Sequence, residues 1–140
     1  RLIIDLPTKK QLANRTGVLR IQDNGPGMSA QDAEKAIRAG FSGNNPYDSL
    51  GLFGMGFNIS TGKMCNTTTF MTARPGNKSY IKTVIDLERI NSTKNYSLDA
   101  EELPKGDETF PEESHGTIIE VSGWWPLGDA NNGFIEKLVK

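Results

Sequence analysis

The pattern of apolar and polar positions opens on two short β-rich runs, residues 1–6 and 17–22, joined by a polar connection over 7–16. In Val18-Leu19-Arg20-Ile21 a charged residue interrupts the apolar ones, as expected of a strand with one wet face. Asp23-Asn24-Gly25-Pro26-Gly27 stops that strand, because glycines on both sides of a proline demand a turn. Helical spacing then takes over. Ala33, Ala36 and Ile37 give one small apolar face to a helix predicted over 30–39. Ser29 stands at its N-cap, Asp32 completes a capping-box-like pattern, and Gly40 ends it.

Residues 40–50, GFSGNNPYDSL, consist largely of turn formers and predict a mobile loop. Gly51-Leu52-Phe53-Gly54-Met55-Gly56 follows and leads into a short helix predicted over 57–64. The runs 66–74 and 79–88 are rich in threonine and β-branched residues and flank a turn at 75–77, which predicts a hairpin with one solvated face. Residues 91–114 are polar, carry Pro104 and Pro111, and predict an irregular surface excursion. GTIIEVS, 116–122, is a further strand, and 134–140 has the pattern of a helix start. There is no internal repeat and no low-complexity tract. The expectation is a single α+β domain over 1–140, a two-layer sandwich of a mixed, largely antiparallel sheet with helices on one face.

Composition narrows the possibilities only a little. The 140 residues fit one domain, and 36% hydrophobic with 24% charged residues is enough apolar material for a core. A formal net charge of -1 gives no global basic field that would argue for nucleic acid. One cysteine, Cys65, excludes an internal disulfide and a cysteine-rich zinc site, which fits an intracellular, reducing setting. No apolar run reaches the roughly 18 residues that crossing a membrane requires, and no signal peptide is expected. The opening Arg1-Leu2-Ile3-Ile4-Asp5 reads like the middle of a domain, so upstream sequence is expected.

The candidate chemistry lies in the glycines. Closely spaced glycines at a helix start let backbone N–H groups face an anion, and the helix dipole adds about half a positive charge there. Gly51, Gly54 and Gly56 have this arrangement, which fits either an ordinary turn or a phosphate cradle. It is not a P-loop, because Phe57 and Asn58 follow Gly56 where lysine and a hydroxyl are needed. Gly25-Pro26-Gly27-Met28-Ser29-Ala30 does match G-x-G-x-x-A of the dinucleotide fold, with Asp48 about twenty residues on. That acid, however, lies in a Pro/Gly-rich loop, and the later chain is hairpin-like and not alternating βα.

DNGPGM at 23–28, GLFGMGFN at 51–58 and HGTIIEV at 115–121 together resemble the three glycine-bearing boxes of the GHKL superfamily. That superfamily includes gyrase, the ninety-kilodalton heat-shock chaperones, histidine kinases, MutL and the MORC ATPases. The spelling is most similar to the chaperone, MutL and MORC branches; the Gly-Leu-Gly-Leu usual in histidine kinases is absent. The resemblance implies the Bergerat ATP-binding fold, ATP with Mg2+ as cofactors, ATP and ADP as ligands, and a nucleotide-dependent homodimer in the full-length protein.

Residue by residue, the resemblance implies that Asp23 accepts a hydrogen bond from the exocyclic amine of adenine; its alternative role is to cap its own turn. Gly25 and Gly27 would let the backbone approach the base, and Met28 would either lie against the ring or fill core. Gly51, Gly54 and Gly56, with the N–H groups of Phe53, Met55 and Phe57, would hold the phosphates. The Phe57 side chain itself reads as core. Thr117 would place a hydroxyl near adenine, although a threonine opening a strand is also ordinary. Ser42, with Asn44 and Asn45, belongs to a lid over about 40–53 whose glycines would permit closure. Some relatives carry lysine where Asn58 stands. His115 reads as a solvated strand-end histidine, and Trp124 and Trp125 as packing beneath the sheet or facing a following domain.

Relatives carry a helix before the first box with a glutamate that orients water and an asparagine that holds magnesium. No such helix precedes Asp23, so neither a catalytic residue nor a metal ligand is assigned, and poor turnover is expected of this chain. An ATP-driven conformational machine is the leading expectation. A sensor kinase catalytic domain, or a nucleotide-binding module without catalysis, are the alternatives. The client, protein or nucleic acid, is not legible.

Overall fold

Alternation of side chains about the sheet plane decides where each residue of this chain goes. A computed structural model describes residues 1–37, 65–93 and 99–124. The strands are β1 (Leu2–Asp5), β2 (Leu19–Asp23), β3 (Cys65–Ala73), β4 (Ser79–Asp86), β5 (Ala100–Pro104) and β6 (Gly116–Trp124). They form one sheet in the order β1-β2-β6-β3-β4-β5, and every described pairing is antiparallel. The described helices are α1 (Lys9–Ala13), α2 (Ala30–Ile37) and α3 (Leu87–Thr93).

On β6, Thr117 and Ile119 point to one face and Ile118 to the other, as the two-residue period of a strand requires. Ile119 lies opposite Phe70 on β3 and Ile21 on β2. It joins two apolar clusters on this face. One holds Leu19, Cys65, Val121 and Trp124, with Leu12 and Ile21 partly buried against them. The other holds Ala33, Ile37, Phe70 and Ile85, with Met28 and Leu87. Leu12 comes from α1, Ala33 and Ile37 from α2, and Leu87 from α3. The described helices therefore all cover the same face, as a two-layer α+β sandwich requires.

The opposite face is roofed at one end by the segment 105–115. Ile118, Met71, Ala73, Tyr80 and Phe110 are buried there, with Leu103 beside them. The Tyr80 and Phe110 rings lie 4.9 Å apart between centroids. Asp107 anchors this roof: its carboxylate accepts from the Phe110 N–H and from the Tyr80 hydroxyl, both at 2.8 Å. These two donors, the backbone one first, hold its carboxyl below the usual range.

Several boundaries differ from the sequence expectation. The polar connection 7–16 contains α1, capped by Thr8: Gln11 N–H donates to the Thr8 hydroxyl while the Gln11 side chain accepts from the Thr8 N–H. That capping box, Thr8-x-x-Gln11, is legible in the sequence once sought. The excursion 91–114 contains β5, a strand without alternation that exists because β4 offers it a ladder. The run 79–88 stops as a strand at Asp86, whose carboxylate accepts from the Arg89 N–H and starts α3. Trp124 packs on the sheet as expected and donates its indole N–H to the Gly17 carbonyl at 3.0 Å. Trp125, the predicted helices at 57–64 and 134–140, and the loop 40–50 lie outside the described residues.

Burial also settles Cys65. It is 1% exposed, and burial pushes its thiol up to about 11, so the sulfur is protonated at neutral pH.

Phe110 is 2% exposed and carries the packing beneath the roof. Phe110→Ala is expected to cost about 3–5 kcal/mol of unfolding free energy. Urea denaturation followed by tryptophan fluorescence checks this; a loss below about 1 kcal/mol would mean that the roof contributes little.

Candidate functional site

Three neighbouring strands bring their ends together at one margin of the sheet, and the register lines up one side chain from each. Asp23 ends β2, Thr117 stands opposite it on β6, and Thr72 stands opposite Thr117 on β3. All three point to the helix-bearing face. Thr72 and Thr117 are buried, at 0% and 8% exposed, and Asp23 is half-buried.

Asp23 opens the loop that leads to α2, and its Oδ1 accepts from the Gly25 N–H at 2.7 Å. The turn-capping role is therefore real. It occupies one oxygen only, and among the described residues no donor meets the other. A carboxylate has lone pairs for several donors, so capping and ligand recognition are compatible on this one side chain.

The loop is then clamped against β3. Met28 N–H donates to the Thr72 hydroxyl at 2.9 Å, and the Thr72 oxygen lies 3.2 Å from both the Gly116 carbonyl and the Thr117 hydroxyl. Gly27, at φ +63°, passes so close to β3 that a Cβ there would sit 2.0 Å from the Ala73 carbonyl oxygen. On the other side, a Cβ on Gly116 would sit 2.0 Å from the Asp23 carbonyl oxygen. Glycine is needed at both positions because backbone meets backbone there. Ser29 caps α2 as expected, its hydroxyl accepting from the Asp32 N–H at 3.1 Å and donating to the Asp32 carboxylate at 2.7 Å.

Beside the row a cleft of about 350 Å³ opens, with Met28, Thr72, Ile81, Arg74 and Glu102 among its walls. Asp23 and Thr117 are not among those walls, so the cleft adjoins the row through Thr72 and does not coincide with it. Met28 packs against the cluster of Ala33, Ile37, Phe70 and Ile85, the core role foreseen for it, and it also lines this cleft. Among the described residues no group of His, Cys, Asp or Glu could hold a metal ion, and no helix is long and apolar enough to cross a membrane.

The sequence that builds this row matches a known family. The profile of the histidine kinase-, DNA gyrase B- and HSP90-like ATPases matches residues 3–117. The chain belongs to that ATPase family. The match spans the whole Asp23–Thr117–Thr72 row, so the row is part of a GHKL-type ATPase domain. Comparison with curated proteins gives no match. Among solved structures, the domain is similar to the Aquifex aeolicus MutL ATPase domain complexed with ADP: TM-score 0.49, 13% identity, 87% of this chain and 39% of that one covered. A second structure, the ATPase domain of the mismatch repair endonuclease MutL from the same organism, gives TM-score 0.46 and 12% identity, covering 88% and 38%. The chain spans about two-fifths of the length of those solved chains.

Of the residues singled out in this GHKL-type sequence, Asp23, Gly25, Gly27, Met28 and Thr117 gather at one place. Ser42, Gly51, Phe53, Gly54, Met55, Gly56 and Phe57 lie outside the described residues. Two residues of the place were not singled out for it. Thr72 sits in a threonine-rich run, Thr67-Thr68-Thr69 and Thr72, where nothing local marks the one that meets the loop. His115, read as solvated, is half-buried and bonded to the Gly25 carbonyl at 2.6 Å.

Thr72→Val keeps the shape but leaves the half-buried Met28 N–H without its acceptor, an expected loss of about 1–3 kcal/mol by chemical denaturation. Gly27→Ala must also displace backbone and adopt a left-handed φ, so a loss of about 2 kcal/mol or more is expected in the same experiment. An alanine variant as stable as the parent would show that the loop does not sit against Ala73 in solution.

Proposed function

We propose that this domain binds ATP, with Asp23 recognising the adenine amine and the glycines 51–56 holding the phosphates. The single observation carrying the proposal is the row Asp23–Thr117–Thr72, in which a carboxylate already fixed by its own turn keeps one oxygen that no donor among the described residues meets. An adenine amine fits that oxygen as a donor. Guanine would bring a carbonyl oxygen to the same place, setting two acceptors against each other. The buried hydroxyls of Thr117 and Thr72 supply a second polar point, and Met28 an apolar one.

Gly51, Phe53, Gly54, Met55, Gly56 and Phe57 are proposed as the phosphate cradle on the strength of their sequence alone, with Ser42 in a lid over 40–53. Closure of that lid on nucleotide, and pairing of two domains in the full-length protein, follow as the proposed consequence of binding. ATP hydrolysis is proposed for the whole protein. Mg2+ would accompany the phosphates, and its ligand is proposed to lie outside the described residues.

Asp23→Asn is the discriminating substitution. The amide oxygen can still accept from the Gly25 N–H, so the turn survives, but the remaining position becomes an NH2 facing the purine NH2. Two donors then oppose one another. ATP and ADP affinities are expected to fall at least about tenfold by titration calorimetry, with thermal stability little changed. Affinity equal to that of the parent would remove Asp23 from the site and the proposal with it.

A further inference from the structure

His115 holds the turn that Asp23 opens. Its Nδ1 lies 2.6 Å from the Gly25 carbonyl oxygen, and a carbonyl can only accept, so Nδ1 carries the hydrogen. Gly25 also donates its own N–H to Asp23 Oδ1 at 2.7 Å. One glycine is thus held at both polar ends, the N–H by the carboxylate and the carbonyl by the imidazole. A glycine has more backbone freedom than any other residue. Released at its carbonyl, Gly25 can turn its N–H away from Asp23, and the carboxylate then loses the donor that fixes its plane.

The backbone on either side of His115 is itself firmly held. The preceding carbonyl, of Ser114, accepts from Lys105 Nζ at 2.7 Å, and the same ammonium reaches the Arg74 carbonyl at 2.9 Å. Ser114 N–H donates to the Pro111 carbonyl at 2.9 Å. The following residue, Gly116, is pressed against the Asp23 backbone and opens β6. His115 therefore hangs between the roof segment and a central strand.

We infer that His115 is a positioning residue for adenine recognition: through the Gly25 backbone it sets the orientation of the Asp23 carboxylate, and so the preference for a purine bearing a 6-amino group. The inference rests on the ATP-binding reading above and adds a residue to which that reading gives no role. Its signature is a loss confined to the amine. A support that merely kept the loop folded would weaken all purine nucleotides alike.

The test is calorimetric titration of the 140-residue chain with ADP and with purine riboside diphosphate, which lacks the amine, for the parent, His115→Ala, His115→Asn and His115→Gln. The parent is expected to prefer ADP about tenfold or more. His115→Ala is expected to lose most of that preference by weakening ADP about tenfold, while the amine-free nucleotide changes less than about twofold. Asn carries an N–H at the distance of Nδ1 and is expected to restore the preference; Gln places its N–H about one bond farther out and is not. If the alanine variant loses cooperative melting, the comparison of Asn with Gln decides alone. Equal weakening of both nucleotides in His115→Ala, an unchanged ADP affinity, or equal preferences in Asn and Gln would overturn the role of His115. A parent without preference for ADP, before any change at His115, would instead overturn the adenine-recognition reading itself, and this inference with it.

Discussion

The carboxylate of Asp23 has two oxygens, and its own turn consumes only one. Everything proposed for this domain depends on that remainder. A half-buried carboxylate oxygen facing no donor is costly unless water or a ligand supplies one, because the charge has left part of its hydration behind. The Gly25 N–H fixes one oxygen at 2.7 Å, which orients the other in space without occupying it. Recognition by a single acceptor is selective only when the acceptor is held in this way. A freely rotating carboxylate would accept from any donor at any angle.

Holding it requires that the loop 23–28 be tied to strands on both sides, and the ties are of two kinds. Polar ones run from Met28 to Thr72 and from His115 to Gly25. Steric ones lie at Gly27 against Ala73 and at Gly116 against Asp23, where no side chain could intervene. The order β2-β6-β3 makes this possible, since it brings the end of β2, the start of β6 and the end of β3 to one margin. The helices on that face then close over the apolar residues behind the row, with Ile119 common to both clusters. The fold thus serves the site by presenting three strand termini side by side.

This explains which parts were legible in the sequence. Glycines forced by backbone contact leave a spelling that survives without any structural context, and so DNGPGM and HGT pointed to one place before the strands were assigned. Asp23 and Thr117 were legible for the same reason, being embedded in those spellings. Thr72 was not. Its importance arises from register, the pairing of Thr72 with Thr117, and register is a property of three strands and not of a local run. His115 was misjudged because a strand-end histidine has no partner until the chain 90 residues earlier returns beside it. The helix at Lys9–Ala13 was missed despite its capping box, since its single half-buried residue, Leu12, gives almost no period to detect. β5 was missed because its sequence carries no alternation, and its strand geometry is imposed by the neighbouring β4.

One hydroxyl proton gives the row a further property. The Thr72 oxygen accepts from the Met28 N–H, so its own single hydrogen must go either to the Gly116 carbonyl or to Thr117. If Gly116 receives it, Thr117 donates toward Thr72 and presents only lone pairs outward. A donor such as an exocyclic amine, or a water beside it, is then the matching guest. If Thr117 receives the hydrogen, its own hydrogen is free to point outward, and an acceptor such as a ring nitrogen matches instead. Adenine carries both groups on adjacent atoms of one edge, whereas the Gly116 carbonyl favours the first arrangement by offering a fixed buried acceptor. The pair of threonines can therefore adapt its polarity by rotating two buried hydroxyls, with no movement of the backbone. The Asp23 carboxylate beside them cannot, since it only accepts. On the proposed reading, selectivity is set by the group that has no choice, and tolerance by the pair that does.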